Sequence, residues 1–226
     1  MAHIIVRNIT KTYSVGGLSI DAVKDAFFSV ERGDFISIVG HSGSGKTTLL
    51  SLMGGITNPS SGEILFENQN IASFSGDRLS EYRSAKVGFM FQFASLLPML
   101  TVRENLLLPT VFAGRSASRD GAGARAADLI GKVGLGDKIS AYPSQLSGGQ
   151  QRRVAIARAF MNGPSLILAD EPTGDLDEDT ERDMLNFFRG MNEDSGTTFI
   201  LVTHNTDLAK QANRRFRMNQ GTIAEE

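Results

Sequence analysis

The sequence has no cysteine among its 226 residues. It can therefore form neither a disulfide nor a thiolate metal site, and a reducing compartment such as the cytosol is compatible with this composition. It also lacks any apolar run near the ~20 residues that a helix needs to cross a bilayer. Its first residues do not show the basic and then apolar pattern of a signal peptide. We therefore expect a protein that is soluble by itself and takes any membrane role from a partner.

The chain also lacks an excess of charge of either sign. Its 23 Lys and Arg residues and 25 Asp and Glu residues give a formal net charge of −2. A nucleic-acid surface would normally show as a basic excess, so we predict no nucleic-acid partner. With 41% hydrophobic and 21% charged residues, the composition indicates a packed globular core. The length suits one sizeable α/β domain or two small ones.

Strand and helix signals alternate along the chain. Short runs of β-branched and aromatic residues predict strands at 4–9, 35–39, 87–91, 166–169 and 199–203. Helical spacing is seen for two apolar sets: Ala126, Leu129, Ile130 and Val133, and then Met184, Phe187, Phe188 and Met191. Residues 114–123 are rich in Gly, Ser, Ala and Arg and predict an exposed loop. This order predicts an α/β protein with a mainly parallel sheet.

A phosphate-binding loop is predicted where the second of these strands ends. Residues 40–47 match G-x-x-x-x-G-K-[ST], directly after a strand and before a helical stretch. Such a loop wraps a phosphate in backbone N–H groups at a helix N-terminus, and the same residues could otherwise form only a Gly-rich turn. The expected nucleotide-binding residues are Gly40, Ser42, Gly43, Ser44, Gly45, Lys46, Thr47 and Thr48. Lys46 should reach the β- and γ-phosphates, and the Thr47 hydroxyl should ligate Mg²⁺.

Two carboxylates follow the apolar strand at 166–169. Asp170 and Glu171 stand where P-loop enzymes hold Mg²⁺, although a solvated strand end would also carry such residues. Because neighbouring residues on a strand point to opposite sides, we assign them different roles. Asp170 is the expected metal ligand, and Glu171 is the expected general base for the attacking water.

A second anion-binding helix start is predicted at residues 146–150, which have the sequence Leu-Ser-Gly-Gly-Gln and precede a helical stretch over 151–161. Average composition would produce this pentapeptide in about one chain in several thousand. Ser147 is a suitable N-cap, and the N–H groups after it can bind an anion. With this segment, nearly the whole chain resembles the ATPase subunits of ATP-binding cassette (ABC) transporters.

The resemblance implies ATP and Mg²⁺ as cofactors and a head-to-tail homodimer that forms on nucleotide binding. In that dimer Ser147 and Gly149 would contact the γ-phosphate bound by the partner copy. Asp177, in a segment where Asp175 departs from the residues usual in relatives, would communicate with the opposite site. The implied fold is a RecA-like P-loop NTPase core with an antiparallel β subdomain and a helical subdomain at about 93–160, all within one domain over 1–226.

The resemblance also implies roles for three isolated residues, and each role has a structural alternative. Tyr13 would stack on adenine, or it could be a core tyrosine. Gln92 would contact Mg²⁺ and the attacking water, or it could be an ordinary polar residue at a strand end. His204 would contact the γ-phosphate as a catalytic switch, or it could be a capping or core residue.

The short sequence segments at 89–109 and 171–177 resemble those of the lipoprotein-releasing and macrolide-export branch of the family. That branch implies a separate transmembrane permease and a peripheral location on the cytoplasmic face of the membrane. The apolar stretch 93–100 would then receive a permease helix, or it could be a helical-subdomain core.

The same cassette could instead serve a signalling complex of the cell-division type, or a soluble ATPase of DNA repair, chromosome organisation or translation. A P-loop kinase would leave the segment 146–150 unexplained.

Overall fold

The computed structural model describes residues 2–112, 121–174 and 176–226. They form two compact units, of which unit 1 comprises the chain up to Leu79 together with Thr198–Glu226, and unit 2 comprises Ser80–Thr197. Most of the loop predicted at 114–123 lies outside the described residues, and so does Asp175. Within the described ranges, no helix is long and apolar enough to span a bilayer.

The strands are β1 (Ala2–Val15), β2 (Leu18–Glu31), β3 (Phe35–Val39), β4 (Ser61–Phe66), β5 (Gln69–Asn70), β6 (Val87–Met90), β7 (Leu166–Asp170), β8 (Thr198–Thr203), β9 (Arg214–Asn219) and β10 (Thr222–Glu225). The α-helices are α1 (Lys46–Met53), α2 (Gly76–Lys86), α3 (Val102–Phe112), α4 (Ala122–Lys132), α5 (Gly148–Ala159), α6 (Glu178–Ser195) and α7 (Thr206–Ala209). Short 3₁₀ turns lie at Ile71–Ser73, Gly136–Lys138 and Pro143–Gln145.

Unit 1 contains two groups of strands. β2, β1, β4 and β5 form an antiparallel sheet in that order, and the long strands β1 and β2 turn apolar side chains such as Ile9 and Val30 into the core. β3 pairs in parallel with β8 and with β9, and β10 pairs antiparallel with β9. All five side chains of β3 are buried, as expected for a strand covered on both faces. Burial of each Ile of β3 contributes about 1.5–3 kcal/mol relative to exposure.

Unit 2 combines the parallel pair β6 and β7 with helices α3 to α6 and the part of α2 from Ser80 onward. The predicted apolar face of α4 is confirmed, because its side chains and Val133 are at most 2% exposed. Gly88 lets β6 approach the end of α5, since a Cβ there would lie 2.4 Å from the carbonyl oxygen of Ala159. An α/β protein with parallel strands, an antiparallel sheet and a helical region confirms the predicted fold class.

Candidate nucleotide-binding and hydrolysis site

The phosphate loop joins β3 to α1 through a glycine that no other residue could replace without movement. Gly45 is the N-cap of α1 and has φ 107°. A Cβ at this position would lie 2.0 Å from the carbonyl oxygen of Ala22 in β2, which is far inside van der Waals contact. The tight turn therefore depends on the missing side chain, and it leaves the first N–H groups of α1 at the loop.

Lys46 lies in the loop with its side chain almost fully buried. Its Nζ donates to the carbonyl oxygens of Gly40 at 2.7 Å and His41 at 3.0 Å. An ammonium group has three N–H donors, and the described residues accept two of those of Lys46. The third N–H can therefore donate to a phosphate oxygen. Ser44 Oγ is buried and finds no hydrogen-bond partner among the described residues. Both observations fit a loop that binds an anion.

Two other predicted residues lie in unit 1. Val39 of β3 pairs with Thr203 of β8, so Gly40 and His204 leave adjacent parallel strands at the same edge. His204 is exposed, which excludes the core alternative for it. Tyr13 of β1 is 40% exposed and has Lys11 Nζ 5.1 Å from its ring centroid. It is therefore not a core tyrosine.

Unit 2 places the remaining predicted residues. Met90 of β6 pairs with Ala169 of β7, so Gln92 and the pair Asp170 and Glu171 follow neighbouring parallel strands at their carboxyl ends. Gln92 is exposed and lies in an irregular segment just beyond β6.

Glu171 departs from the strand geometry that the sequence argument assumed. Its φ is 48°, in the left-handed region that glycine favours, and its carbonyl accepts a hydrogen bond from Gly174 N at 3.4 Å. The alternation rule holds only for extended residues, so it does not fix the direction of Glu171 relative to Asp170. The turn that follows β7 sets that direction instead. A non-glycine residue in this conformation costs on the order of 1–3 kcal/mol and often marks a functional position.

The segment 146–150 forms the exposed start of α5. Ser147 is the N-cap, as predicted, and its Oγ accepts from Gln150 N at 3.2 Å. Gln150 Oε1 accepts in return from Ser147 N at 3.0 Å, which completes a capping box. Ser147 and Gly148 are exposed, whereas Leu146 is buried. The capping box takes up the N–H groups of Ser147 and Gln150, and those of the exposed Gly148 and the half-buried Gly149 remain outside it.

Asp177 is the N-cap of α6. Its carboxylate accepts from Thr180 N at 3.0 Å and from Thr180 Oγ1 at 2.8 Å. These hydrogen bonds, the backbone one foremost, lower the pKa of Asp177, and the charge of Arg153 adds to the effect. Asp177 is thus a charged cap at ordinary pH.

The predicted metal ligands Thr47, Gln92 and Asp170 offer a hydroxyl, an amide carbonyl and a carboxylate. Oxygen donors of this kind suit Mg²⁺, which usually keeps several water or phosphate ligands. In residues 2–112, 121–174 and 176–226, no group of three or more His, Asp or Glu side chains could hold a metal by itself.

Sequence reasoning did not identify three polar side chains that organise unit 2. Arg152 and Arg158 of α5 bind carbonyl oxygens of the segment 91–95, and Asn105 of α3 binds those of the segment 97–101. The sequence signal that could have indicated these residues is a charged or amide side chain among the apolar residues of a helix. The partners are up to 64 residues away in the chain, which is why no local pattern shows them.

A glycine-lined phosphate loop, paired carboxylates after a parallel strand and an exposed capped helix start together define a P-loop nucleotide-binding cassette. The family model described as "ABC transporter" matches residues 23–174. The chain belongs to the ABC transporter family, and as a member it is an ATP-binding, ATP-hydrolysing cassette.

The chain is similar to several known proteins. The macrolide export ATP-binding/permease protein MacB of Syntrophobacter fumaroxidans is 42% identical over the whole chain, which spans only 32% of MacB's own length. The lipoprotein-releasing system ATP-binding protein LolD of Idiomarina loihiensis is 40% identical over 97% of this chain and 96% of its own. A dimeric post-hydrolysis structure of the cassette MJ0796 bound to ADP and Pi superimposes with a TM-score of 0.93, at 38% identity, and covers 99% of this chain and 97% of its own.

Proposed function

We propose that this chain is the ATPase subunit of an export or release transporter, in which two copies close around ATP and drive a separate transmembrane permease. The relatives named for macrolide export and lipoprotein release support this interpretation over a signalling complex of the cell-division type. The transporter branch, the permease partner and a peripheral position at the cytoplasmic membrane face all belong to the proposal.

The observation that carries the proposal is the exposed start of α5. A capped helix N-terminus attracts an anion, and the chain already has a phosphate loop in unit 1. A second phosphate-directed surface is explained when it serves the nucleotide of another copy. The dimeric MJ0796 structure with ADP and Pi supports such an assembly in a close structural neighbour.

In the proposed cycle, the loop 40–47 binds the β- and γ-phosphates and Lys46 donates its remaining N–H. Ser147 and Gly149 of the partner copy then cover the γ-phosphate. Glu171 accepts a proton from the attacking water while Gln92 orients it. Loss of the γ-phosphate removes the anion that both copies share, so the dimer opens. His204 would contact the γ-phosphate.

Mg²⁺ bound with the nucleotide would neutralise charge that develops on the phosphates during transfer. Thr47, Asp170 and Gln92 are the residues proposed to hold it. The exposed ring of Tyr13 is proposed to stack on the adenine. The prediction that 1–226 is one domain with a helical subdomain at about 93–160 stays a prediction.

The variant Glu171→Gln tests the cycle. Loss of a general base typically reduces turnover by about 10² to 10⁴-fold, while the neutral amide still allows ATP to bind. We expect this variant to accumulate as an ATP-bound dimer, measured by light scattering after size-exclusion chromatography in MgATP. The matched control is Glu178→Gln, which changes an exposed carboxylate in the first turn of α6. Near-normal hydrolysis by Glu171→Gln, or a strictly monomeric variant in saturating MgATP with its permease supplied, would refute the cycle.

The permease-docking proposal depends on exposed apolar side chains in unit 2. Phe93, Leu97 and Met99 are 74%, 41% and 70% exposed, which supports an outward-facing apolar surface in this stretch. A separate cleft in unit 2 is lined by Phe91, Pro109 and Phe112 together with polar side chains such as Arg83. Adjacent exposed apolar side chains of this kind are typical of a surface that another protein covers.

Two charged substitutions test the docking surface. Leu97→Asp and Leu100→Asp should detach the chain from its permease, because each would bring a carboxylate into an apolar contact, and should leave ATP binding unchanged. Co-purification from detergent extracts measures the contact. Leu18→Asp is the control, since Leu18 is 71% exposed but lies in β2 of unit 1. Retained co-purification of both docking variants would exclude this surface.

A further inference from the structure

Two arginines of α5 bind consecutive backbone carbonyls of the segment 91–95. Arg152 Nη1 donates to the carbonyl oxygen of Phe91 at 2.9 Å and also to that of Gln92. Arg158 donates from Nη1 to Ser95 O at 3.0 Å and from Nη2 to Ala94 O at 2.9 Å. The same helix therefore holds this segment at two points, on either side of residue 93.

The segment depends on these side chains, because residues 91–95 belong to neither a strand nor a helix. Backbone carbonyls outside regular structure need another donor, and a charged donor makes a hydrogen bond roughly twice as strong as a neutral one. Arg152 is only 4% exposed, so water competes little for its contacts. Ser95 has φ 47°, an unfavourable conformation for serine, at the point where Arg158 binds its carbonyl.

Arg152 also neighbours the turn that follows the proposed general base. A Cβ built on Gly174 would lie 4.0 Å from Arg152 Nη2 and 3.8 Å from Cβ of Glu171. One buried guanidinium thus lies beside the turn after Glu171 and binds the carbonyl of Gln92. Arg152 therefore binds the backbone of one residue assigned to the attacking water and lies near the turn that follows the other.

We propose that Arg152 is a positioning residue for hydrolysis, which fixes the backbone of Gln92 to α5 so that the Gln92 side chain is directed to the attacking water. This inference rests on the proposed function, in which Gln92 orients that water. α5 is also the helix whose start would cover the partner's γ-phosphate. The position of α5 at the dimer interface would then determine the position of the Gln92 backbone through Arg152. Arg158 binds the same segment at a second point.

A double-mutant cycle in the full chain tests this role. Arg152→Gln should lower kcat by roughly tenfold, the loss expected from removal of a charge-assisted hydrogen bond. The Kd for ATP should stay within about twofold, because phosphate binding lies elsewhere. In the Gln92→Ala background, Arg152→Gln should cause little further loss of kcat, since the residue acts through Gln92. Arg152→Lys, which keeps the charge but not the planar fork, should give an intermediate kcat.

Arg182→Gln is the control, because Arg182 is an exposed arginine paired with Asp179, and its kcat should equal that of the wild type. Additive losses in the cycle, or a Kd for ATP that rises as much as kcat falls, would show that Arg152 only supports the fold. If Arg152→Gln does not fold, the cycle is measured with Arg152→Lys, and a wild-type kcat for that variant overturns the inference. If Gln92→Ala alone keeps wild-type kcat, the role of Gln92 and this inference fail together, while ATP hydrolysis by the wild type leaves the proposed function standing.

Discussion

Replacement of Asn105 by alanine should destabilise unit 2 through the loop that precedes α3. Asn105 is fully buried, and its Nδ2 donates to the carbonyl oxygens of Leu97 at 3.1 Å, Leu100 at 3.0 Å and Thr101 at 3.0 Å. Its Oδ1 accepts from Leu97 N at 2.8 Å. One side chain therefore binds four backbone groups of the segment 97–101.

The size of the loss follows from the number of protons. The amide of Asn105 has two N–H protons shared among three carbonyls, so with the accepted bond it makes about three full hydrogen bonds. At about 1 kcal/mol each, Asn105→Ala should lower the free energy of unfolding by about 3 kcal/mol. For a chain of this length, each kcal/mol shifts the midpoint by roughly 2–4 °C, so we expect a fall of about 6–12 °C.

Urea denaturation gives the free energy, and hydrogen exchange of the amides of residues 97–101 locates the loss. Exchange in that segment should be faster in the variant than in the wild type. Opening the segment then costs less free energy, because the hydrogen bonds of Asn105 no longer have to be broken. Asn58→Ala is the control, since Asn58 is an exposed asparagine with an ordinary negative φ. A free energy of unfolding within about 1 kcal/mol of the wild type, with unchanged exchange, would refute the reasoning.

Three further predictions concern separate parts of the chain. Gly45→Ala should abolish measurable ATP binding in a titration, because a Cβ there lies 2.0 Å from a backbone oxygen, whereas Gly76→Ala, with open space at its Cβ, should bind ATP normally. Tyr13→Ala should raise the Kd for ATP about tenfold through loss of stacking, and an unchanged Kd would remove the adenine role. Asp177→Ala should lower the unfolding temperature at neutral pH. Because hydrogen bonds from Thr180 lower the pKa of Asp177, its stabilisation is present above the unfolded pKa of about 3.9 and is lost as pH falls through the lower folded pKa, so the two proteins should converge in thermal scans at acid pH.

Much of the fold could be predicted because its signals are local. The apolar strand β3 coincides with the predicted range 35–39, and α1 begins within one residue of the helical stretch expected after the phosphate loop. The N-cap at Ser147 was predictable because it is set by the chemistry of one side chain and its neighbours. Local chemistry of this kind also defines the family.

The long strand β2 was missed for a physical reason. Its pairing with β1 contains several register shifts, so its buried positions do not alternate regularly and the period-two signal is broken. The strand predicted at 87–91 ends at Met90, because beyond it the backbone turns into the segment that Arg152 binds. Such an ending is decided by a residue 61 positions away, which no window of sequence contains.

The backbone beyond the carboxyl ends of β6 and β7 is also determined by residues distant in the sequence. Glu171 after β7 and Ser95 beyond β6 both adopt positive φ, although neither is a residue that favours it. Conformations of this kind persist only where surrounding contacts determine them. For Ser95 those contacts come from Arg158, and for Glu171 they come from the turn at 171–174 beside Arg152. Gln92, which is proposed to orient the water, is therefore held by Arg152 of α5 as well as by the strand before it, so we expect a substitution on that helix to impair hydrolysis without contact to ATP.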